Sequence, residues 1–263
     1  MDSIFLLKVI SSFVIAGSWI ALSTTIAERL GSKVGGLISN LPSNILVSLI
    51  FVALVNDVSY VARTAISVPL GISICTLFLV VFIYFLRFNL FIAVSTSLIF
   101  WFLSAFLSST LRLDNFYINI SISLIIIFFS AIFLEKVLKT PSVKNTKRRL
   151  SFSQFVGRIL FSGSIVAAVV IISKLSNPYF VGIFATFPAM LLSTMIILTI
   201  NQGKKFAQGT GKILALSLSN TVVYIFAVYF TYPEFGILWG TIISYSLSAL
   251  WITFLHPLVR KLI

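Results

Sequence analysis

Two prolines carry the strongest chemical signal in this chain. Pro42 lies within Ser-Asn-Leu-Pro-Ser-Asn and Pro188 within Ala-Thr-Phe-Pro-Ala-Met, each inside an apolar stretch and each with a glycine six residues before it, Gly36 and Gly182. Proline offers no donor to the carbonyl four residues earlier and pushes the residue before it out of helical geometry. A helix broken in this way presents free N–H groups at the start of its second half, which favour an anion. It also presents free carbonyls at the end of its first half, which suit a cation. Ser39, Asn40, Ser43 and Asn44 surround the first break; Thr186, Ser193 and Thr194 surround the second, and Asn220 belongs to the neighbouring helix. With Gly36, Pro42, Gly182 and Pro188, these residues form the expected substrate-binding set.

What is missing narrows the chemistry further. Asp2, Glu28, Asp57, Asp114, Glu135 and Glu234 all fall at or beyond the expected helix ends. Proton relays and carriers of organic cations depend on a buried carboxylate, so a neutral or anionic solute fits better, with Na⁺ held by carbonyls and hydroxyls as the one coupling ion the composition suggests. Cys75 and His256 are single, which leaves no metal set, and no nucleophile stands with a base. Neither an enzyme nor a bound cofactor is expected.

The elements that must position these residues are membrane helices. Of 263 residues, 59% are hydrophobic and 10% charged, and the mean hydropathy is +1.12. A crossing takes about 20 apolar residues, because lipid offers unpaired backbone groups no partner. The apolar runs predict an all-α polytopic membrane protein with about nine spans, near residues 5–27, 34–55, 64–86, 89–110, 117–134, 155–174, 179–200, 210–231 and 235–256. Nine spans separate the basic residues, 15 on the side of the linker after Glu135 and 4 on the other. This predicts a plasma-membrane protein with its N-terminus outside and its C-terminus cytoplasmic. The net charge of +13 therefore belongs to topology rather than to nucleic acid, and the basic linker is also suited to anionic lipid.

The chain also repeats itself at an offset of 146 residues. Gly17, Ser18, Ala21, Ile26, Gly36, Pro42, Leu46, Ile50, Thr64, Leu70 and Ser73 recur as Gly163, Ser164, Ala167, Ile172, Gly182, Pro188, Leu192, Ile196, Thr210, Leu216 and Ser219. The expected organisation is a first four-helix repeat over 1–112, a connecting helix and basic linker over 113–154, and a second repeat over 155–263. An odd connecting helix inverts the second repeat in the membrane, the plan of many carriers whose binding site lies at paired broken helices.

The stretch Asn177-Pro178-Tyr179-Phe180-Val181-Gly182, then Phe187-Pro188, Lys204-Lys205 and SLSNTVVYIFAVYF from Ser217 to Phe230, resembles the small four-helix GlpM-like family of bacterial membrane proteins over residues 155–255. The first repeat departs from it, with Lys33-Val34 and Leu41-Pro42 at the corresponding places. The resemblance implies a fused, inverted duplication of such a unit and carries no reaction with it. The leading expectation is a secondary transporter of a small or lipid-linked solute, working by alternating access. The competing one is a non-transporting accessory subunit of an envelope or polysaccharide assembly system. Substrate, coupling ion and homo-oligomerisation stay open.

Overall fold

A computed structural model describes residues 3–39, 41–140 and 151–262, without the side chains of 24, 26–39, 256 and 258–262. The described residues are helical, with no strand among them. The helices are α1 (Ser3–Ser39), α2 (Ser43–Val55), α3 (Val58–Phe85), α4 (Leu90–Leu111), α5 (Phe116–Ile132, ending in a π-turn Phe133–Val137), α6 (Phe152–Leu175), α7 (Pro178–Ala185), α8 (Ala189–Gln202), α9 (Lys204–Ser217) and α10 (Ser219–Leu262). Among the described residues, seven stretches are long and apolar enough to cross a bilayer, the last being Lys204–Leu255. That one reverses at Gly236, whose φ of +70° suits a glycine. Its limbs are pinned antiparallel by Thr231–Ser244 (2.9 Å), Tyr232–Thr241 (2.7 Å) and the Ser248 hydroxyl donating to Asn220 Oδ1 (2.6 Å).

Polarity runs inside out, as lipid requires. Phe91, Phe106, Leu103 and Phe128 face outward, while Ser67, Ser73, Thr76, Ser97 and Asn119 are buried. Lipid tails match apolar side chains, so close helix packing relies on small and hydrogen-bonding residues instead. The central element is α3, which packs against α2, α4, α5, α7, α9 and α10. Along α5 the buried residues Phe116, Asn119, Ser123, Ile127 and Ser130 recur every three or four positions, one helical stripe against that centre.

The connections group at the two ends of α3. At its start, Tyr60 OH donates to the Ser176 carbonyl (2.8 Å), and Asn56 Nδ2 to Ser173 Oγ (3.0 Å). At its end, Lys204 Nζ reaches the Phe88 carbonyl (2.8 Å). The α2–α3 and α8–α9 turns therefore lie at opposite ends of the bundle, although each follows a proline-started helix at the same place in its half.

Two expectations are corrected. The expected loop between residues 27 and 34 is helical, since α1 runs from Ser3 to Ser39 and only Ser43–Val55 remains of the second span as a separate helix; the chain still folds back before α2, whose end meets the start of α1 where Lys8 Nζ donates to the Leu54 carbonyl. In the second half the corresponding stop exists because Asn177 caps α7 through Phe180 N and Pro178 starts it. The first half has Gly31 and Ser32 there, which weaken a helix without ending it. Glu135, expected beyond its helix, lies within the apolar span Phe116–Val137 and pairs with Lys212 Nζ at 2.7 Å.

Candidate functional site

Both prolines break the backbone, and in the same way. Pro42 has φ −75° and ψ +56°, and Pro188 has φ −78° and ψ +42°, each just before the helix that follows. At the first break Ser43 N–H donates to the Leu41 carbonyl (2.7 Å) and Leu46 N–H to Pro42 (2.9 Å). At the second, Ala189 N–H donates to Phe187 (2.8 Å) and Leu192 N–H to Pro188 (2.8 Å). A two-residue bond across a central residue near these angles is an inverse γ-turn. It uses one N–H of the new helix and leaves the next two without an intrahelical partner, with no side-chain cap to take them.

The surroundings of the breaks differ. At the second, Thr186 Oγ1 turns back to the Ile183 carbonyl (2.6 Å), and its own carbonyl accepts from Cys75 Sγ (2.8 Å). Phe187 fills the space beside Pro188, with ring centroids 4.9 Å from Trp101, 6.2 Å from Phe161 and 6.2 Å from Phe184. At the first, Ser43 Oγ bonds the Leu41 carbonyl (3.2 Å), while Asn44 Oδ1 is buried without a partner among the described residues. Ser193 bonds the Met190 carbonyl (3.1 Å), and Thr194 is half-buried on α8.

The members of the expected set belong to different elements. Pro42 leads into α2, packed on α1, α6 and α3; Pro188 leads into α8, packed on α9, α6 and α4. Asn220 is held by Ser248 inside the α10 hairpin. Gly182 serves α7 packing, since a Cβ there would overlap Ser67 Oγ and the Thr64 carbonyl oxygen. Asn40 and the surroundings of Gly36 and Ser39 lie outside the described residues. Two open hollows lie elsewhere. One, of about 510 Å³, is an apolar groove along the α10 hairpin lined by Phe226, Phe230, Leu250 and Trp251; the other, of about 330 Å³, is bounded by Arg63, Tyr229 and Glu234.

Three charged groups within helices escape the sequence reading. Lys212 is wholly buried on α9 and bonds Glu135, itself 43% exposed. Arg158, one of the 15 basic residues assigned to the linker side, lies seven residues into α6, where its Nε meets Met190 Sδ at 3.5 Å. The available signal was the capping box of Ser151 with Gln154, which starts α6 at Phe152 and draws Arg158 into the span. Below it, Gln154 and Asn201 exchange two side-chain hydrogen bonds of 2.9 Å and join α6 to α8.

The halves also touch reciprocally. A Cβ on Gly17 would meet Ile159, and one on Gly163 would meet Phe13. Exchanging each residue for its counterpart 146 positions away turns one contact into the other, and the pairing runs antiparallel.

A family model described as "Protein of unknown function (DUF3147)" matches residues 9–114 and 154–254. No curated protein and no solved structure matches the chain.

Proposed function

Since the chain belongs to the DUF3147 family, whose model falls on both of its halves, we propose that it is a carrier-like membrane protein made of two inverted four-helix repeats. The repeats are 1–112 and 155–263, joined through α5 and the basic linker, and they move a small neutral or anionic solute by alternating access. The observation that carries this reading is the pair of matched inverse γ-turns at Pro42 and Pro188. Two further features support inversion. The Gly17–Ile159 and Gly163–Phe13 contacts are reciprocal and antiparallel. Asn119 bonds the Ile66 carbonyl while Glu135 bonds Lys212. Ile66 and Lys212 are repeat counterparts, and Asn119 and Glu135 are equidistant from Ile127 on α5, as an axis through the connecting helix requires.

Under this proposal the protein is no enzyme and holds no cofactor, with Na⁺ as the candidate coupling ion. It sits in the plasma membrane with the basic connections inside. The rings around Phe187 close the second break, which corresponds to an occluded stage of the cycle. Replacing Asn40, Pro42 and Pro188 together by alanine abolishes solute flux in proteoliposomes, screened with organic anions and neutral solutes with and without a Na⁺ gradient. Undiminished flux in the triple variant refutes the assignment.

The same aromatic packing favours a second reading: a non-transporting accessory subunit of an envelope or polysaccharide assembly system, in which the repeat only solves a packing problem. That reading predicts no flux for any solute in the parent protein.

A further inference from the structure

Arg158 is a half-buried cation within α6 whose only polar contact among the described residues is a thioether. It stands about 10 Å along α6 from the helix start, at 1.5 Å per residue. Its Nε meets Met190 Sδ, a weak acceptor, at 3.5 Å, and four further guanidinium N–H donors are left over. Met190 is the second residue of α8, so the guanidinium is held against the positive end of that helix dipole, beside the N–H groups of Met190 and Leu191 that no cap takes. A guanidinium and a helix N-terminus repel each other, and away from water the repulsion is poorly screened. An anion between them turns it into attraction on both sides. One turn along α6 from Arg158, on the same face, Ser162 is wholly buried and its hydroxyl has no partner, a donor kept ready without an acceptor. Toward the basic end, the Gln154–Asn201 amide pair lies one turn below Arg158 and bridges the same two helices.

We infer that Arg158, Ser162 and the N-terminus of α8 form a binding site for an oxyanion, a phosphate or carboxylate group of the transported solute. The planar fork of arginine matches two oxygens at once, while the amides of Met190 and Leu191 and the Ser162 hydroxyl serve the remainder. The inference rests on the reading of the Pro188 break as the carrier's solute site and names the solute's chemical class. A soluble phosphate ester and an anionic lipid headgroup share that chemistry. In the first half the counterparts of Arg158 and Met190 are Ser12 and Asn44, so the charge is carried by one repeat only.

The test is thermal unfolding of the purified full chain in neutral detergent, with potassium phosphate or potassium acetate against potassium chloride at equal ionic strength. A parallel series takes mixed micelles with phosphatidylglycerol against phosphatidylcholine. An oxyanion that binds only the folded protein raises the melting temperature by about 3 °C at saturating concentration. Arg158→Gln loses the shift, Ser162→Ala reduces it, and Arg158→Lys keeps a reduced shift, which guards against a glutamine variant that fails to fold. A shift with phosphate alone marks a soluble ligand, and a shift with phosphatidylglycerol alone marks a headgroup; both support the site. No shift with any oxyanion, or a shift undiminished in Arg158→Gln, overturns it. Flux separates the two readings. Arg158-dependent binding without flux removes the carrier and leaves the site, whereas flux that needs Pro188 and ignores Arg158→Gln removes the site and leaves the carrier.

Discussion

Gly182→Ala opposes two effects of known size. In an isolated helix the change favours α7 by about 1 kcal/mol, because glycine gives up more backbone freedom than alanine. Here α7 lies on α3, and the new methyl falls on both Ser67 Oγ and the Thr64 carbonyl oxygen, far inside contact distance. The serine can rotate away, at the cost of its bond to the Tyr179 carbonyl (2.6 Å), worth about 1 kcal/mol. The Thr64 carbonyl belongs to helix backbone and cannot yield, so α7 must retreat from α3, and overpacking of this kind costs about 1–3 kcal/mol. The net expectation is a loss of about 1–3 kcal/mol, or roughly 2–4 °C of melting temperature per kcal/mol in a chain of this size. Tryptophan emission during heating in detergent reads it directly, since Trp101 lies 4.9 Å from Phe187 at the end of α7. Adding Ser67→Ala removes one of the two overlaps and recovers only part of the loss. A Gly182→Ala protein as stable as its parent would refute the close α3–α7 approach.

Other perturbations probe the polar joints. Glu135→Gln leaves Lys212 buried beside a neutral partner and costs about 1–3 kcal/mol, below the full penalty for a buried pair because Glu135 is 43% exposed; adding Lys212→Met restores most of it in the same melt. Asn119→Ala removes bonds to the Ile66 carbonyl (2.8 Å) and the Leu113 carbonyl (2.7 Å), and lowers stability by about 1–2 kcal/mol, measured by thermal unfolding. Asp57 caps α3 through Tyr60 N, and its carboxyl is held below the usual range by the hydrogen bond from Ser59 and then by that from Tyr60. Its contribution is therefore present above the unfolded carboxyl pKa and lost as pH falls through the lower folded value. Asp57→Ala flattens the acid limb of a stability–pH profile.

The sequence makes the helical class, most spans and both breaks legible, because length, hydropathy and proline act locally. Pro42 and Pro188 each stand at a break just before a new helix, and the structure gives them one turn type. The long α1 was harder to foresee, because Gly31 and Ser32 lower helix propensity without forbidding a helix. The surroundings of the breaks were out of reach for another reason. Which ring fills the space beside Pro188, or whether Asn220 turns to Ser248, depends on partners brought in from α4 and the second limb of α10. Glu135 and Arg158 were misplaced by a few residues at helix ends, and in a membrane that distance decides whether a charge is solvated.

The central claim is that the two halves enter the membrane from opposite sides, and labelling of single cysteines in intact cells tests it. With Cys75→Ser as background, Asp57→Cys and Gly203→Cys occupy counterpart positions, at the ends of α2 and α8. The account predicts that an impermeant maleimide labels position 57 in intact cells and position 203 only after permeabilisation. Labelling of both from the same side would contradict inversion, and with it the carrier proposed here.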